Sequence, residues 1–179
     1  GVVSEKLASV MNQYGKRVLI TYGGGSIKRT APGHDKSLYD LVKDTLTDKQ
    51  VFELGGIQPN PKFNPSVLDG VRMCQDNDID VILAVGGGSV LDCTKAIAGV
   101  AGTLKTKVTD NVEEAWDIVC GRKPTTAAVP IVDIITMAAT GSEYDMGGVI
   151  SRTETNDKLA YFSKLVFPAV SFIDPTYTF

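Results

Sequence analysis

The sequence contains one histidine and three cysteines, which is too few for the common metal-binding patterns. Cys74, Cys93 and Cys120 are odd in number and too widely spaced for a zinc knuckle, so we expect free thiols in a cytoplasmic protein. His34 lies in a Pro-Gly-His-Asp loop, where we expect a surface residue, because one imidazole cannot supply the three protein ligands of a catalytic metal site. We therefore predict no metal site within this chain.

The sequence also lacks an excess of positive charge and a long apolar run. Its formal net charge is −3 and it has no block of basic residues, which argues against nucleic-acid binding. No apolar stretch approaches the roughly 20 residues that a membrane helix needs, so we expect no membrane span. A chain of 179 residues, 43% hydrophobic and 22% charged, is of ordinary size and composition for one globular α/β domain.

The two ends of the chain predict a fragment of a longer protein. The sequence begins with Gly1 rather than methionine, and it ends directly after a turn marked by Pro175. We therefore expect residues 1–179 to form one domain of a larger enzyme.

The most informative stretch is residues 81–102, VILAVGGGSVLDCTKAIAGVAG. Its apolar start is typical of a strand covered on both faces, and its end has the apolar spacing of a helix. Glycines at 86, 87 and 88 allow backbone N–H groups to approach a ligand closely, and Ser89 with Asp92 is predicted to form a capping box. The positive end of the helix dipole favours an anion there, so we predict a phosphate-binding turn. The alternative is a tight strand-to-helix connection that binds nothing.

A second copy of this pattern lies earlier in the chain. VLITYGGGS at 18–26 mirrors VILAVGGGS at 81–89. Two such strands place two glycine turns at the carboxyl edge of one sheet, where open α/β sheets bind their ligands. Neither copy is the dinucleotide fingerprint G-x-G-x-x-G, and the only acid near the usual distance from the second turn, Asp110, lies in a polar loop.

The remaining pattern predicts alternating helices and strands. Helices are expected over 3–14, 37–47 (capped by Ser37 and Asp40), 67–74 (after an Asn64 N-cap and Pro65) and 113–119. Strands are expected over 18–22, 51–54, 81–85, 127–135, 149–152, 159–162 and 169–173, although Pro130 is disfavoured inside a central strand. The predicted fold is a Rossmann-like α/β domain, with a mostly parallel sheet, helices on both faces and a β-hairpin near the C-terminal end.

In these glycine turns and in several later segments, the chain resembles the iron-containing (group III) alcohol dehydrogenases, specifically the NADP-linked aldehyde reductases and butanol dehydrogenases. The matching segments follow one another along nearly the whole chain: YGGGSIK (22–28), AVGGGSVLDCTKAIA (84–98), ATGSE (139–143), SRTETNDKLAY (151–161) and FIDPTYT (172–178). The resemblance implies a dinucleotide-binding domain followed by a helical domain that binds a divalent metal such as iron or zinc. The second domain would lie beyond Phe179.

The resemblance also implies roles for individual residues. Asp92 would face the nicotinamide and the substrate as a catalytic residue, and Lys158 would reach the nicotinamide ribose. The full set of implied cofactor-binding residues is Gly24, Gly25, Ser26, Lys28, Gly86, Gly87, Gly88, Ser89, Thr136, Thr140, Ser142, Asp145, Lys158, Tyr177 and Thr178. Tyr144-Asp145 departs from the family pattern, in which many relatives have Met-Asn.

The first glycine turn favours NADP over NAD. An acid would bond the ribose 2′-hydroxyl of NAD and repel a 2′-phosphate, but residues 23–26 contain none. Lys28 or Arg29 could meet the additional phosphate charge. The expected function is hydride transfer between NADP(H), or NAD(H), and a primary alcohol or aldehyde, in a protein that is often dimeric among relatives. The alternatives are a non-catalytic nucleotide-binding module, or a domain of a polyol dehydrogenase or a dehydroquinate-synthase-like lyase.

Overall fold

A five-stranded parallel sheet forms the centre of the molecule. The computed structural model describes residues 1–137 and 145–177. The strands of the sheet are β1 (Arg17–Tyr22), β2 (Gln50–Leu54), β3 (Val81–Gly86), β4 (Ile131–Ile135) and β7 (Val170–Ile173). A separate antiparallel hairpin pairs β5 (Gly147–Arg152) with β6 (Asp157–Phe162). The predicted α/β class and the hairpin are confirmed.

Helices cover both faces of this sheet. They are α1 (Val2–Met11), α2 (Leu38–Thr45), α3 (Leu68–Asn77), α4 (Gly88–Thr103) and α5 (Val112–Val119). Alternate residues of a strand point to opposite faces, so Leu19 joins the core under α3, α4 and α5, whereas Val18 and Ile20 join the core under α1 and α2. Burial on both faces explains why β3 reads as a continuous apolar run.

The order of the strands creates a switch point in the sheet. Across the sheet the order is β2-β1-β3-β4-β7, so the chain leaves β1 toward one edge and returns to continue on the other side of β1. Ligands of open α/β sheets bind at such a point, outside the carboxyl ends of the strands. In this fold the switch point lies between β1 and β3.

Two of the three predicted helix caps need correction. The Ser89–Asp92 capping box was wrong, because α4 already begins at Gly88 with Gly87 as its N-cap, and no side chain of a described residue caps it. The Asn64 cap was also wrong: Val67 is the N-cap of α3, and the Asn64 side-chain amide donates to Glu154 instead. The expected cap of α2 is present, since Ser37 Oγ accepts a hydrogen bond from the Asp40 N–H at 3.1 Å.

Pro130 lies just before β4, so the strand is shorter than the expected 127–135 and does not contain the proline. Strand β4 starts at Ile131, and the Pro130 carbonyl accepts a hydrogen bond from Ile82 N–H at 2.9 Å. The missing proline N–H therefore costs the sheet no ladder bond, because the proline takes part only as an acceptor.

Candidate functional site

The two glycine turns lie side by side at the carboxyl edge of the sheet. In the parallel ladder, Tyr22 at the end of β1 is paired with Val85 of β3. Gly23 and Gly86 follow these two residues directly, so both turns leave the sheet at the same edge and on adjacent strands. This edge is the β1/β3 switch point, where the repeated sequence pattern predicted a ligand site.

Space above the first turn is open. A methyl group added to Gly24 or Gly25 would meet no atom of the described residues within 4 Å. A methyl group on Gly86, by contrast, would lie 2.7 Å from Val90 Cγ2. Gly86 therefore serves packing between β3 and the start of α4, whereas Gly24 and Gly25 leave room for a ligand against bare backbone.

The second turn supplies the start of a long helix. α4 runs from Gly88 to Thr103, and its Gly87 N-cap has no side chain to satisfy the first N–H groups. Helix N-termini carry unpaired N–H donors and partial positive charge, which suit a phosphate group. Ser89, half-buried in the first turn, adds a hydroxyl at the same place. This arrangement fits the diphosphate of a dinucleotide.

A third strand end contributes Thr136 to the same edge. The Thr136 N–H donates to the Gly86 carbonyl at 3.0 Å, which joins the end of β4 to the second glycine turn. Thr136 is 6% exposed. The structure thus brings Thr136 to the edge that carries the two glycine turns, and its role toward a cofactor stays a prediction.

Asp92 connects α4 to the hairpin. Its carboxylate accepts a hydrogen bond from the Val149 N–H at 3.1 Å. The hairpin backbone passes so close that a methyl group on Gly148 would lie 2.7 Å from Asp92 Cα. Asp92 is half-buried one turn into the helix, so its carboxylate orients β5 in addition to any role toward substrate, which stays a prediction.

A buried lysine that sequence reasoning missed lies one turn beyond Asp92. The Lys95 side chain is 0% exposed, and its ammonium contacts Asp145 Oδ1 at 2.5 Å and the Gly147 carbonyl at 2.9 Å. Asp145 Oδ1 also accepts from the Gly147 N–H. The signal was available, since Lys95 is the only cation of α4 and is followed by the apolar run 96–100, and buried charges are normally paired. Asp145 is therefore an ion-pair partner, whatever it contributes to the cofactor.

Two further predicted residues contact other parts of the chain. Lys158, at the start of β6, is exposed and donates to the side-chain oxygen of Asn60 at 3.2 Å. Tyr177 is 4% exposed, with its ring stacked on His34 at a centroid distance of 3.9 Å. His34, expected at the surface, is accordingly half-buried. The cofactor roles of Lys158 and Tyr177 stay predictions.

Three predicted cofactor residues, Thr140, Ser142 and Thr178, lie outside the described residues. Their assigned roles therefore rest on the sequence alone.

A second group that the sequence reading missed surrounds Glu53 of β2. Its Oε1 accepts from the Tyr22 hydroxyl at 3.1 Å, and its Oε2 accepts from the Tyr39 hydroxyl at 3.1 Å and from the Lys43 ammonium at 3.0 Å. We call Tyr22, Tyr39, Lys43 and Glu53 the Glu53 cluster. Partial burial would raise the pKa of the Glu53 carboxyl, but the three donors outweigh it and hold that pKa below its usual value. The bond to Glu53 raises the pKa of Tyr39 to about 12.

Lys28 lies over the rings of this cluster. Its ammonium is 5.3 Å from the Tyr22 ring centroid and 4.8 Å from that of Tyr39, within cation–π range. Lys28 ends the short helical turn Gly25–Lys28 that follows the first glycines, and it is exposed. An accessible cation therefore stands beside the first turn.

Other ligand chemistries have less support within the described ranges. Residues 1–137 and 145–177 contain no group of three or more His, Cys, Asp or Glu side chains able to hold a metal ion. The three cysteines are free, and burial raises the pKa of both Cys74 and Cys93 to about 12. No helix in these ranges is long and apolar enough to span a bilayer.

Comparison with known proteins identifies the family. The sequence profile of the iron-containing alcohol dehydrogenases matches residues 2–175. The chain belongs to the iron-containing alcohol dehydrogenase family. Its similarity extends to a probable NADH-dependent butanol dehydrogenase 1 of Bacillus subtilis, with 45% identity over 98% of this chain and 42% of that protein.

A relative named for NADPH rather than NADH is nearly as similar to this chain. The NADPH-dependent aldehyde reductase YqhD of Escherichia coli is 41% identical over 91% of this chain and 39% of its own length. Among solved structures, NADH-dependent butanol dehydrogenase A of Thermotoga maritima superposes with a TM-score of 0.82 at 35% identity, covering 98% of this chain and 41% of that one. The chain therefore spans about two fifths of the length of these iron-containing alcohol dehydrogenase relatives.

Proposed function

We propose that this chain is the dinucleotide-binding domain of a metal-dependent alcohol dehydrogenase or aldehyde reductase. The whole protein would transfer hydride between NADP(H) and a primary alcohol or aldehyde. The observation that carries the proposal is the pair of glycine turns at adjacent strand ends of the β1/β3 switch point. Membership in the iron-containing alcohol dehydrogenase family supports the same reaction class.

The described residues support a division of tasks within the site. The N–H groups at the start of α4 and the Ser89 hydroxyl would bind the diphosphate, while the open backbone at Gly24 and Gly25 would accept the adenosine side. Thr136 and Lys158 would bind toward the nicotinamide. Asp92 would orient the nicotinamide side through its position on α4. The nicotinamide itself supplies the hydride chemistry, and the protein supplies binding and orientation.

A helical second domain would supply the metal site. A divalent metal, such as iron or zinc, would act as a Lewis acid on the substrate oxygen. The free cysteines support a cytoplasmic protein, and we extend the expected homodimer and small-molecule substrate to this chain as part of the proposal. Alone, this domain would bind cofactor without turning over substrate.

The function is tested with the full-length protein and a series of short and medium aldehydes. We expect NADPH consumption that disappears after chelation and returns when iron or zinc is added back. NADPH binding, measured by titration calorimetry, should survive chelation because the diphosphate site lies in this domain. A protein that binds neither NADPH nor NADH would contradict the proposal, as would aldehyde reduction that is insensitive to chelation.

A further inference from the structure

Glu53 lies at the carboxyl end of β2, where an acidic residue can determine the choice between NAD and NADP. In dinucleotide-binding folds, an acid that follows the first glycine turn bonds the ribose 2′-hydroxyl and disfavours a 2′-phosphate. Glu53 lies one residue before the end of β2, which is paired with β1. The chain then passes the first turn directly, since the Gly56 N–H donates to the Gly23 carbonyl at 2.8 Å. An acid is therefore present near this turn after all.

The Glu53 carboxylate, however, already accepts hydrogen bonds from other side chains. Both of its oxygens accept hydrogen bonds, and the Lys43 ammonium compensates its charge at 3.0 Å. A carboxylate with three donors and a cationic partner is a poor acceptor for a ribose hydroxyl and repels a phosphate only weakly. The Glu53 cluster is thus close to neutral, with one carboxylate and one ammonium.

The same hydrogen bonds prepare the tyrosine rings for a cation. A phenol that donates its proton to a carboxylate gains electron density on the ring, which strengthens the attraction of the ring face for an ammonium. Lys28 lies over both rings, and it makes no ion pair or hydrogen bond with the residues that the structure describes. Its charge is therefore held in place without being neutralised, which leaves it available to an anion.

Packing fixes the ring of Tyr22 in this position. A methyl group added to Gly55, just beyond β2, would lie 2.6 Å from Tyr22 Cε2, so the ring lies flat against the backbone that leaves β2. The rings of Tyr22 and Tyr39 meet edge to face, with their centroids 5.8 Å apart. The two rings form a rigid platform beside the first glycine turn.

We infer that the Glu53 cluster is a specificity-determining platform that positions the Lys28 ammonium to bind the 2′-phosphate of NADP. This inference rests on the proposed function, because it assigns the adenosine end of the cofactor to the first glycine turn. The cluster acts in two ways: it neutralises the acid that would favour NAD, and it holds the cation that favours NADP. Tyr39 is accordingly a positioning residue, which acts on the cofactor through Lys28.

The test uses two nucleotides that differ only in the 2′-phosphate. Adenosine 2′,5′-bisphosphate and 5′-AMP are titrated into the full-length protein by calorimetry, and the ratio of their dissociation constants reports recognition of the 2′-phosphate alone. We expect the bisphosphate to bind more tightly to the wild type. Tyr39→Leu should reduce this preference about two- to fivefold, the contribution of one exposed cation–π contact, and leave 5′-AMP binding unchanged. Lys28→Met should reduce it further.

Matched variants separate positioning from net charge. Lys43→Met removes a charge and uncovers the Glu53 carboxylate, so the bisphosphate should lose affinity while 5′-AMP does not. Lys16→Met removes the same charge at the exposed residue before β1, on the opposite edge of the sheet, and should leave the ratio unchanged. Tyr39→Phe keeps the ring but loses the hydroxyl that donates to Glu53, and should give an intermediate ratio.

The outcomes distinguish this inference from the proposed function. If the wild type binds both nucleotides with equal affinity, or if Lys28→Met leaves the ratio of the two dissociation constants unchanged, the inference about the Glu53 cluster is wrong. The proposed nucleotide site is unaffected by that result. If the wild type binds neither nucleotide, the nucleotide site fails and the platform with it. Because Lys28 is exposed, its variant tests the inference even if Tyr39→Leu does not fold.

Discussion

The Lys95 ammonium lies 2.5 Å from the Asp145 carboxylate and 2.9 Å from the Gly147 carbonyl oxygen. This contact joins the middle of α4 to the start of the hairpin, and the Asp92 carboxylate makes a second junction at Val149, one turn earlier on the helix. The hairpin carries Lys158, a predicted cofactor contact. These two polar junctions tie the start of the hairpin to α4 and so help to orient the nicotinamide side of the proposed site.

The Lys95–Asp145 pair predicts unequal effects of its two partners on stability. Asp145→Ala removes the carboxylate beside a fully buried ammonium, but because the Asp145 side chain is half exposed we expect a cost below the roughly 3–5 kcal/mol that is typical of breaking a fully buried pair. Lys95→Met should cost less, because the Asp145 side chain is 53% exposed and can be hydrated. Asp145→Asn, which keeps an oxygen acceptor, is the matched control. Urea unfolding of the three variants measures the order of their free energies of unfolding. A loss for Asp145→Ala that is equal to or smaller than that for Lys95→Met would contradict the prediction.

The Asp92 junction predicts a separation between stability and activity. Asp92→Asn keeps a side-chain oxygen for the Val149 N–H but removes the negative charge. We expect the free energy of unfolding to change by less than about 1 kcal/mol, since a neutral hydrogen bond remains. If Asp92 also contacts the nicotinamide or the substrate, kcat/KM for aldehyde reduction should fall about 10- to 100-fold, the effect of losing a charge-assisted hydrogen bond.

The comparison with Asp92→Ala decides between the two roles of Asp92. This variant loses both the charge and the junction, so it should be less stable than Asp92→Asn and show at least the same loss of kcat/KM. Activity that follows stability across the two variants, with Asp92→Asn nearly as active as wild type, would restrict Asp92 to anchoring the hairpin.

Periodicity and turn chemistry were sufficient to predict the sheet and its ligand edge. The continuous apolar run of β3 can be satisfied only by helices on both faces, and the repeated glycine turns placed β1 and β3 at one edge. Boundaries were less predictable. The expected cap by Ser89 failed because Gly87 is the N-cap of the helix, two residues before Ser89, and no local pattern distinguishes these two starts.

Polar contacts between distant parts of the chain could not be read from the sequence. Lys95 and Asp145 belong to different elements, and Glu53 meets Tyr22 and Tyr39 only after the sheet has formed. A strand acid such as Glu53 looks like an ordinary solvated residue in a linear pattern. Its environment is decided by the register between β1 and β2, which local spacing does not encode.

The pKa values of the Glu53 cluster predict how stability changes with pH. The pKa of Glu53 is lowered on folding, so its contribution is present above the unfolded pKa of about 4.3 and is lost as the pH falls through the folded value. The pKa of Tyr39 is raised to about 12, so its contribution is present below the unfolded pKa of about 10 and is lost as the pH rises toward 12.

Two variants isolate these contributions. The stability difference between wild type and Glu53→Gln should shrink below a pH of about 4.3, and that between wild type and Tyr39→Phe should shrink above a pH of about 10. Denaturant midpoints measured across the pH range provide both differences. Differences that stay constant through these windows would show that Glu53 and Tyr39 are not coupled as their hydrogen bonds indicate.

The two kinds of glycine in the paired turns predict opposite consequences of adding one methyl group. Gly25→Ala meets no neighbouring atom within 4 Å, so we expect the free energy of unfolding to stay within about 0.5 kcal/mol of wild type. Gly86→Ala forces a contact of 2.7 Å with Val90 Cγ2 and should cost about 1–3 kcal/mol, the usual penalty of overpacking.

The same variants test where the cofactor binds. If the open space at Gly25 receives the cofactor, Gly25→Ala should keep its stability and lose affinity for NADPH. Calorimetric titration of Gly25→Ala with NADPH, beside Gly24→Ala as a second probe of the same space, makes the comparison. Unchanged NADPH affinity in both Gly25→Ala and Gly24→Ala would show that the cofactor does not bind against the first glycine turn.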